Sequence, residues 1–370
     1  SNLTNKSGQT FVAYLFADNT AEDADDQMIK CGSYTTDGSG NASINLGWEP
    51  QWVITKKTDG TGAWNIWDTA RGWTNGSNYN YLEANTSAAE TGNSNYGNPT
   101  ATGFTSNGVI GTNANGIYMA IRAPMMKEPE AATDVFDISV GLTGSSLPSY
   151  NSNFPVDMAL TRRPASSENW SIQSRITGAQ TLQPNSITVE GGGDVERQWD
   201  YMNGWGDWTV NTTTHYAWNW KRAKGFFDVV AYTASSSAAH TVNHSLGVPP
   251  ELLISRRRQA TSNWYAGQVN NYLRLNTDGG NLGTPVFNNY TSTTYYVTAG
   301  TWSAGDETIT YLFATLAGIS KVGSYTGNGS NQTIDCGFSA GARFILIKRT
   351  DDDGDWYLWD SVRGIVAADD

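Results

Sequence analysis

The chain has 370 residues and a formal net charge of −12. An acidic surface repels nucleic-acid phosphates and anionic lipid, so neither is expected as a partner. Charged residues make up only 16% and aromatics 12%, with 39 glycines; this profile suits short strands joined by many turns and disfavours helices, which draw on charged, unbranched surface residues.

In chain order, residues 1–28 hold Phe11-Val12-Ala13-Tyr14-Leu15-Phe16-Ala17, which reads as a strand, and then an acidic linker with Glu22, Asp23, Asp25 and Asp26. From residue 29 a fixed order of phrases sets in. The entry Cys31-Gly32-Ser33-Tyr34-Thr35 leads to Leu46-Gly47-Trp48-Glu49-Pro50 and to a hydrophobic run that ends in the basic pair Lys56-Lys57. Trp64 stands eight residues beyond Lys56, and the unit closes on Tyr118-Met119-Ala120-Ile121-Arg122-Ala123. The same order returns with Arg162 and Trp170, with Arg256 and Trp264, and with Lys348 and Trp356. The four tryptophans are therefore 106, 94 and 92 residues apart.

Self-similarity at this period marks a domain-sized repeat and outranks any single motif. The expected division is residues 29–131 for the first unit, 132–225 for a diverged second and 226–318 for the third. Residues 319–370 are the first half of a fourth, because Trp359-Asp360-Ser361-Val362-Arg363-Gly364 matches Trp67-Asp68-Thr69-Ala70-Arg71-Gly72. Phe11 to Ala17 is expected to be the closing strand of a preceding unit in a longer array. That orphan strand and the orphan half-unit are expected to complete one another, within a chain or between chains. The fold class expected is all-β: tandem β-sandwich-like modules of about 90–105 residues, three complete and two partial, each long enough to bury its own core.

Strand signals are short and alternating. Thr241 to Leu246 reads as a half-buried strand and Glu251 to Ser255 as a more buried one. Asp59-Gly60-Thr61-Gly62 and Asp353-Gly354-Asp355 are hairpin turns. No stretch of eighteen apolar residues occurs, no basic n-region precedes an apolar h-region and no heptad pattern persists, so no membrane span, signal peptide or coiled coil is expected from these residues.

Catalytic motifs are equally absent: the three histidines, His215, His240 and His244, belong to no Cys-x-x-Cys, His-Glu-x-x-His or Gly-x-Ser-x-Gly pattern. His240 and His244 share a face of a predicted strand without a third ligand, and the acidic run Asp351 to Asp355 reads as a solvated turn, so no metal or cofactor is expected. Cys31 and Cys336 fall at non-equivalent points of their units and read as free thiols. Asp68 with Arg71, and Asp360 with Arg363, are spaced for local ion pairs.

Tryptophan is in excess, with fifteen copies. Trp64, Trp170, Trp264 and Trp356 recur at one position of every unit, which points to core or inter-unit packing. Trp205 and Trp208 do not recur; Gly204, Gly206 and Asp207 surround them in a predicted loop. With Trp73, Tyr79 and Tyr81 they are the candidate binding residues, surface aromatics on the unit-specific insertions 73–98 and 191–208, because exposed rings stack on sugars.

Four phrases carry a resemblance: Val322-Gly323-Ser324-Tyr325-Thr326-Gly327-Asn328-Gly329, Leu246-Gly247-Val248-Pro249-Pro250-Glu251-Leu252-Leu253-Ile254, Ile347-Lys348-Arg349-Thr350 with Gly354-Asp355-Trp356, and Thr310-Tyr311-Leu312-Phe313-Ala314. They resemble an uncharacterised repeat module of structural and tail-fibre-like proteins of tailed bacteriophages, especially phages of marine bacteria including cyanobacteria. The resemblance implies a non-enzymatic virion component, a tail fibre or appendage with a role in host attachment. It implies other virion proteins, copies of itself in a homo-oligomer and a host-surface glycan as partners, and it transfers no site residues. The alternative reading is a secreted or surface carbohydrate-binding adhesin, or a self-assembling extracellular filament. A polysaccharide depolymerase stands third, since it needs a paired acid and base that the sequence does not single out.

Overall fold

The computed structural model describes residues 7–8, 10–18, 27–68, 73, 79–94, 96–100, 102–123, 126–142, 147–178, 180–191, 197–199, 201–207, 214–234, 236–268 and 271–364. Among these there is no α-helix; two short 3-10 turns, Ala132–Asp134 and Arg175–Thr177, are the exceptions to an all-β chain.

Each complete unit places its closing strand in the middle of a sheet. In the first unit the order is Ile29–Thr35, Asn115–Arg122, Pro50–Lys57, Trp64–Asp68, Tyr79–Glu83 and Thr91–Ser94, all antiparallel. The closing strand Asn115–Arg122 thus pairs with the entry strand on one side and the basic strand on the other: Ile117 faces both Ser33 and Lys56. In the third unit the order is Phe227–Thr233, Glu307–Phe313, Leu252–Arg257, Tyr265–Gln268 and Asn271–Arg274. The second keeps Phe136–Val140, Tyr216–Trp220, Met158–Arg162 and Ser171–Ser174, and the described part of the fourth keeps the hairpin Phe344–Lys348 with Trp356–Asp360. A second, three-stranded sheet completes each of the first three units: Asn41–Asn45, Gly103–Asn107 and Pro99–Thr100; Tyr150–Asn151, Gly204–Asp207 and Arg197–Gln198; His240–Asn243, Thr294–Val297 and Phe287–Asn288.

The period-two alternation of a strand gives every principal sheet two faces. One face meets the unit's own second sheet. Val53 and Tyr118 pack there with Ile44 and Phe104 in the first unit, Ala159 and Ala217 with Tyr150 and Trp205 in the second, and Leu253 and Leu312 with Val242 and Tyr295 in the third. The other face points away from that sheet. In units two, three and four these outer faces meet in one shared core, in which Phe136, Ile138, Trp218 and Trp220 join Phe227, Val229, Ile254 and Tyr311, with Phe344, Trp356 and Leu358 packed against them. Burying an aliphatic or phenyl side chain of this size is worth about 1.5–3 kcal/mol, so the shared core ties the three units together by the same kind of burial that holds each sandwich.

One expected strand is not a strand here. Residues 10–18 belong to no ladder, and Val12, Tyr14 and Leu15 are exposed. The physical reason is the topology. A closing strand draws its main-chain partners from an entry strand and a basic strand at once, and among the described residues this segment lies in no such slot.

Candidate functional site

The hairpin that follows each hydrophobic run explains the spacing of eight. Its antiparallel register sets Lys56 opposite Trp64 and Lys348 opposite Trp356. The guanidinium of Arg162 lies 5.5 Å from the Trp170 ring centre and that of Arg256 lies 5.3 Å from the Trp264 ring, a cation–π geometry. An asparagine later in each of the first three units accepts the tryptophan's main-chain N–H on its Oδ1: Asn85 for Trp64 at 2.7 Å, Asn185 for Trp170 at 3.1 Å and Asn276 for Trp264 at 2.8 Å. The result is a cation and an indole N–H side by side at the rim of the outer face.

In the third and fourth units this pair grips the preceding unit. Trp264 Nε1 donates to the Gln183 carbonyl at 2.7 Å, and Arg256 donates to the carbonyls of Gln183, Ser186 (2.7 Å) and Thr188. Trp356 Nε1 donates to the Arg274 carbonyl at 2.9 Å, and Lys348 Nζ to that of Asp278 at 2.8 Å. The acceptors are equivalent, since Gln183 and Arg274 each stand two residues before the capping asparagine. Main-chain carbonyls make the grip independent of the neighbour's side chains, and a charged donor makes it stronger than an amide bond. Arg256 is fully buried; desolvation pushes its guanidinium down to about 10 against the opposing pull of Glu190, which leaves it charged at neutral pH. Beside it, Arg258 pairs with Glu190 of the second unit at 2.8 Å.

The fourth unit also reaches the second, closing the set. Trp218 Nε1 donates to Asp360 Oδ2 at 3.2 Å, and the Arg363 guanidinium lies 5.0 Å from the Trp218 ring. Arg343 donates to the Phe136 carbonyl and to Asp137, each at 3.1 Å, while Phe344 meets Trp220 edge-on with centres 5.4 Å apart. Three sheets thus surround one core.

The first unit is joined differently. A cleft of about 170 Å³ where it meets the end of the second unit and the third is lined by Trp48, Glu49, Arg122, Lys224, His244 and Ser245, among others. Beneath it Arg222 Nε donates to the fully buried Asp228 at 2.6 Å, the Arg222 main-chain N–H to Asp157 at 2.7 Å, and the Ser245 N–H to Asp228 at 2.7 Å. Ser245 Oγ donates to Glu49 Oε2. Burial above all holds the Glu49 carboxyl above its usual range, with Arg222 pulling it down and Asp228 pushing it up. Arg222 is held charged by Asp228, Glu49 and Asp157 in spite of its burial. Burial pushes His244 below the usual imidazole value, opposed by Asp228. Among the described residues no group of three or more His, Cys, Asp or Glu is placed to hold a metal ion.

Three of the five candidate binding aromatics, Trp73, Tyr81 and Trp205, turn inward, which corrects the expectation that they are surface residues. Trp73 and Tyr81 are buried in the first unit's sandwich, with Trp73 Nε1 donating to the Gly97 carbonyl at 3.0 Å. Trp205 is fully buried, stacks on Trp199 at 5.1 Å and donates to Asn219 Oδ1 at 2.9 Å. Its segment Gly204–Asp207 is a strand, not the expected loop; at Gly204, with φ of +148°, a Cβ would stand 2.1 Å from the Tyr150 carbonyl oxygen. Large aromatics set among glycines fill space that glycine leaves against a neighbouring strand, and this is why they read as a loop in sequence. Trp208 and the Tyr79 side chain lie outside the described residues. The four repeated tryptophans divide: Trp264 is fully buried, Trp170 and Trp356 are half-buried, and Trp64 is 38% exposed. Trp64 therefore departs from the packing role expected of its set, because nothing among the described residues covers the outer face on which it stands. Asp360 and Arg363 form the expected pair at 2.5 Å, whereas Arg71 lies outside the described residues. Cys31 and Cys336 are free thiols.

Sequence reasoning missed the capping asparagines and the Glu49–Arg222–Asp228 joint. The asparagines follow their tryptophans by 21, 15 and 12 residues, so hairpin length hides an equivalence that only register shows.

Fold and docking geometry together define a tandem-repeat, all-β protein whose third and fourth units each dock on the unit before through a repeated basic–tryptophan pair. The chain matches the family model described as a domain of unknown function, DUF7483, over residues 1–123 and 167–368, and it belongs to that family. The stretch left unmatched includes the front of the diverged second unit. No curated protein and no solved structure matches the chain.

Proposed function

We propose that this chain is a structural, non-enzymatic component of a bacteriophage virion, a segment of a tail fibre or appendage that carries host-attachment surfaces on a scaffold of docked β-sandwich units. The observation that supports it is the grip of Arg256 and Trp264, and of Lys348 and Trp356, on main-chain carbonyls of the preceding unit. Such a joint is built to stack like units into a rigid body. The virion setting is taken from the resemblance of the repeat phrases to tail-fibre-like modules. Burial of Trp73, Tyr81 and Trp205 removes the aromatic platform on which the adhesin reading leaned, and favours scaffolding over glycan recognition at those residues. The test is electron microscopy of extracellular particles from the producing culture, labelled with antibody against residues 226–318. Label on phage tails or capsids sustains the proposal; label confined to cell surfaces or to particle-free filaments overturns it.

A further inference from the structure

The outer face of the first unit is the same face that units two to four bury against each other, and it lies open. The register makes the comparison residue by residue. Opposite the first basic residue of the pair, the closing strand carries Ile117 in the first unit and Ile309 in the third. Ile309 is 0% exposed and Ile117 is 40% exposed. Ile54, Ile66 and Leu82 occupy the places of Ile254, Ala266 and Leu273; the latter three are buried in the shared core, and the former are half-buried. Trp64 stands where Trp264 is enclosed.

The same unit also carries the acceptor half of the joint. Glu83 stands two residues before its capping Asn85, as Gln183 stands before Asn185. The Glu83 carbonyl accepts the Thr86 N–H, as the Gln183 carbonyl accepts that of Ser186. The Thr86 hydroxyl accepts the Ala88 N–H, as the Ser186 hydroxyl accepts that of Thr188. This is the loop conformation that receives Arg256 and Trp264 in the second unit, and in the first unit residues 84–90 are exposed. Lys56 donates to the Gly62 carbonyl of its own turn and, as an ammonium, has two further N–H groups to offer.

We infer that the first unit is a homotypic docking site, at which the first units of three copies of this chain close into a ring around their outer faces, as units two to four pack theirs around one core with two of the three joints made by the basic–tryptophan pair. Donor and acceptor sit on one unit, so identical copies satisfy one another around a closed ring. Trp64 Nε1 of one copy meets the Glu83 carbonyl of the next, Lys56 reaches the carbonyls of Thr86 and Ala88, and the apolar faces meet on the axis. Three is the number at which the equivalent faces already close around the shared core. The inference rests on the docking reading of the basic–tryptophan pair and names the partner it implies.

The test is sedimentation of the 370-residue chain over a range of concentrations, with iodoacetamide labelling of Cys31, which pairs with Met119 on this face, and of Cys336 as the internal reference. The expected result is a trimer whose Cys31 labels more slowly as concentration rises while Cys336 is unchanged. Trp64→Ala combined with Lys56→Ala is expected to raise the concentration at which the trimer halves by about tenfold or more, as loss of a central anchor does; near-ultraviolet dichroism checks that the variant keeps its fold, and Trp64 is exposed enough in the single chain to be dispensable for folding. A monomer at every concentration, or a trimer indifferent to both substitutions, overturns the inference. Arg256→Ala separates the two readings. If it fails to loosen units two and three, the docking reading itself falls; if it loosens them while the chain stays monomeric, only the trimer falls.

Discussion

Arg256 is the residue on which the joint between the second and third units most depends, and Arg256→Ala puts a number on it. The side chain is fully buried, lies over the Trp264 ring, and donates to the carbonyls of Gln183, Ser186 and Thr188. Truncation leaves these acceptors without their donor, at about 1–3 kcal/mol for each one that water does not reach. Loss of the stacked cation adds about 1–2 kcal/mol. The cavity left by the guanidinium admits water to the rim-side carbonyls, so one or two acceptors count in full, and the sum is about 2–8 kcal/mol, which brackets the cost seen when a buried charged partner is removed. Arg256→Lys is the informative companion. Lys348 holds the equivalent joint of the fourth unit through a single carbonyl of the third, at 2.8 Å, so lysine at 256 recovers part of the grip and its cost falls to about half. The assay is hydrogen exchange read by peptide, because a chain of several units need not unfold in one step. Protection of the Glu190 amide, bonded to the Arg258 carbonyl at 2.9 Å, reports the joint directly, while the strands of the first unit serve as reference. Protection at Glu190 within about 1 kcal/mol of wild type in Arg256→Ala, below the floor of the estimate, refutes the reasoning.

Further outcomes follow from the same contacts. Trp218→Phe takes the indole N–H from Asp360 and is expected to cost about 1–2 kcal/mol, seen as faster exchange in Phe344–Lys348 with the first unit unchanged; equal protection there means that Val362 and Arg363 hold Asp360 without Trp218. Because the folded Glu49 binds its proton more tightly than the unfolded chain does, its contribution is full below the unfolded value of 4.5 and is lost as pH rises through the raised folded value. Glu49→Gln should therefore gain on wild type in urea midpoint as pH is raised from there to neutrality, and a difference that does not change with pH sinks the assignment. Gly204→Ala sets a Cβ against the Tyr150 oxygen at a positive φ and is expected to cost at least about 1–3 kcal/mol, read as a lower melting temperature. Wild-type stability in that variant means the Gly204–Asp207 strand relaxes without loss.

Much of the fold was legible because it is local. A basic residue and a tryptophan eight apart, bracketing a Gly- and Asp-rich turn, define a hairpin whose register puts the two opposite each other, and the structure shows them so at Lys56 and Trp64. The order of phrases also marked out the stretches from which each sheet draws its strands, since the closing phrase recurs after every complete unit. The site was legible only in part. Trp205 and Trp264 are both fully buried, yet one fills a single unit's sandwich and the other a joint between two units; nothing in their neighbours along the chain separates these fates. Alternation along a strand states which residues share a face, and it is silent on what covers that face. The sequence by itself determined the all-β character and the hairpin turn that follows each basic pair, since these depend on contacts a few residues apart. Only the tertiary structure decided that three outer faces close on one core while the face bearing Ile117 and Trp64 stays open, because burial is set by the distant segments that a face meets.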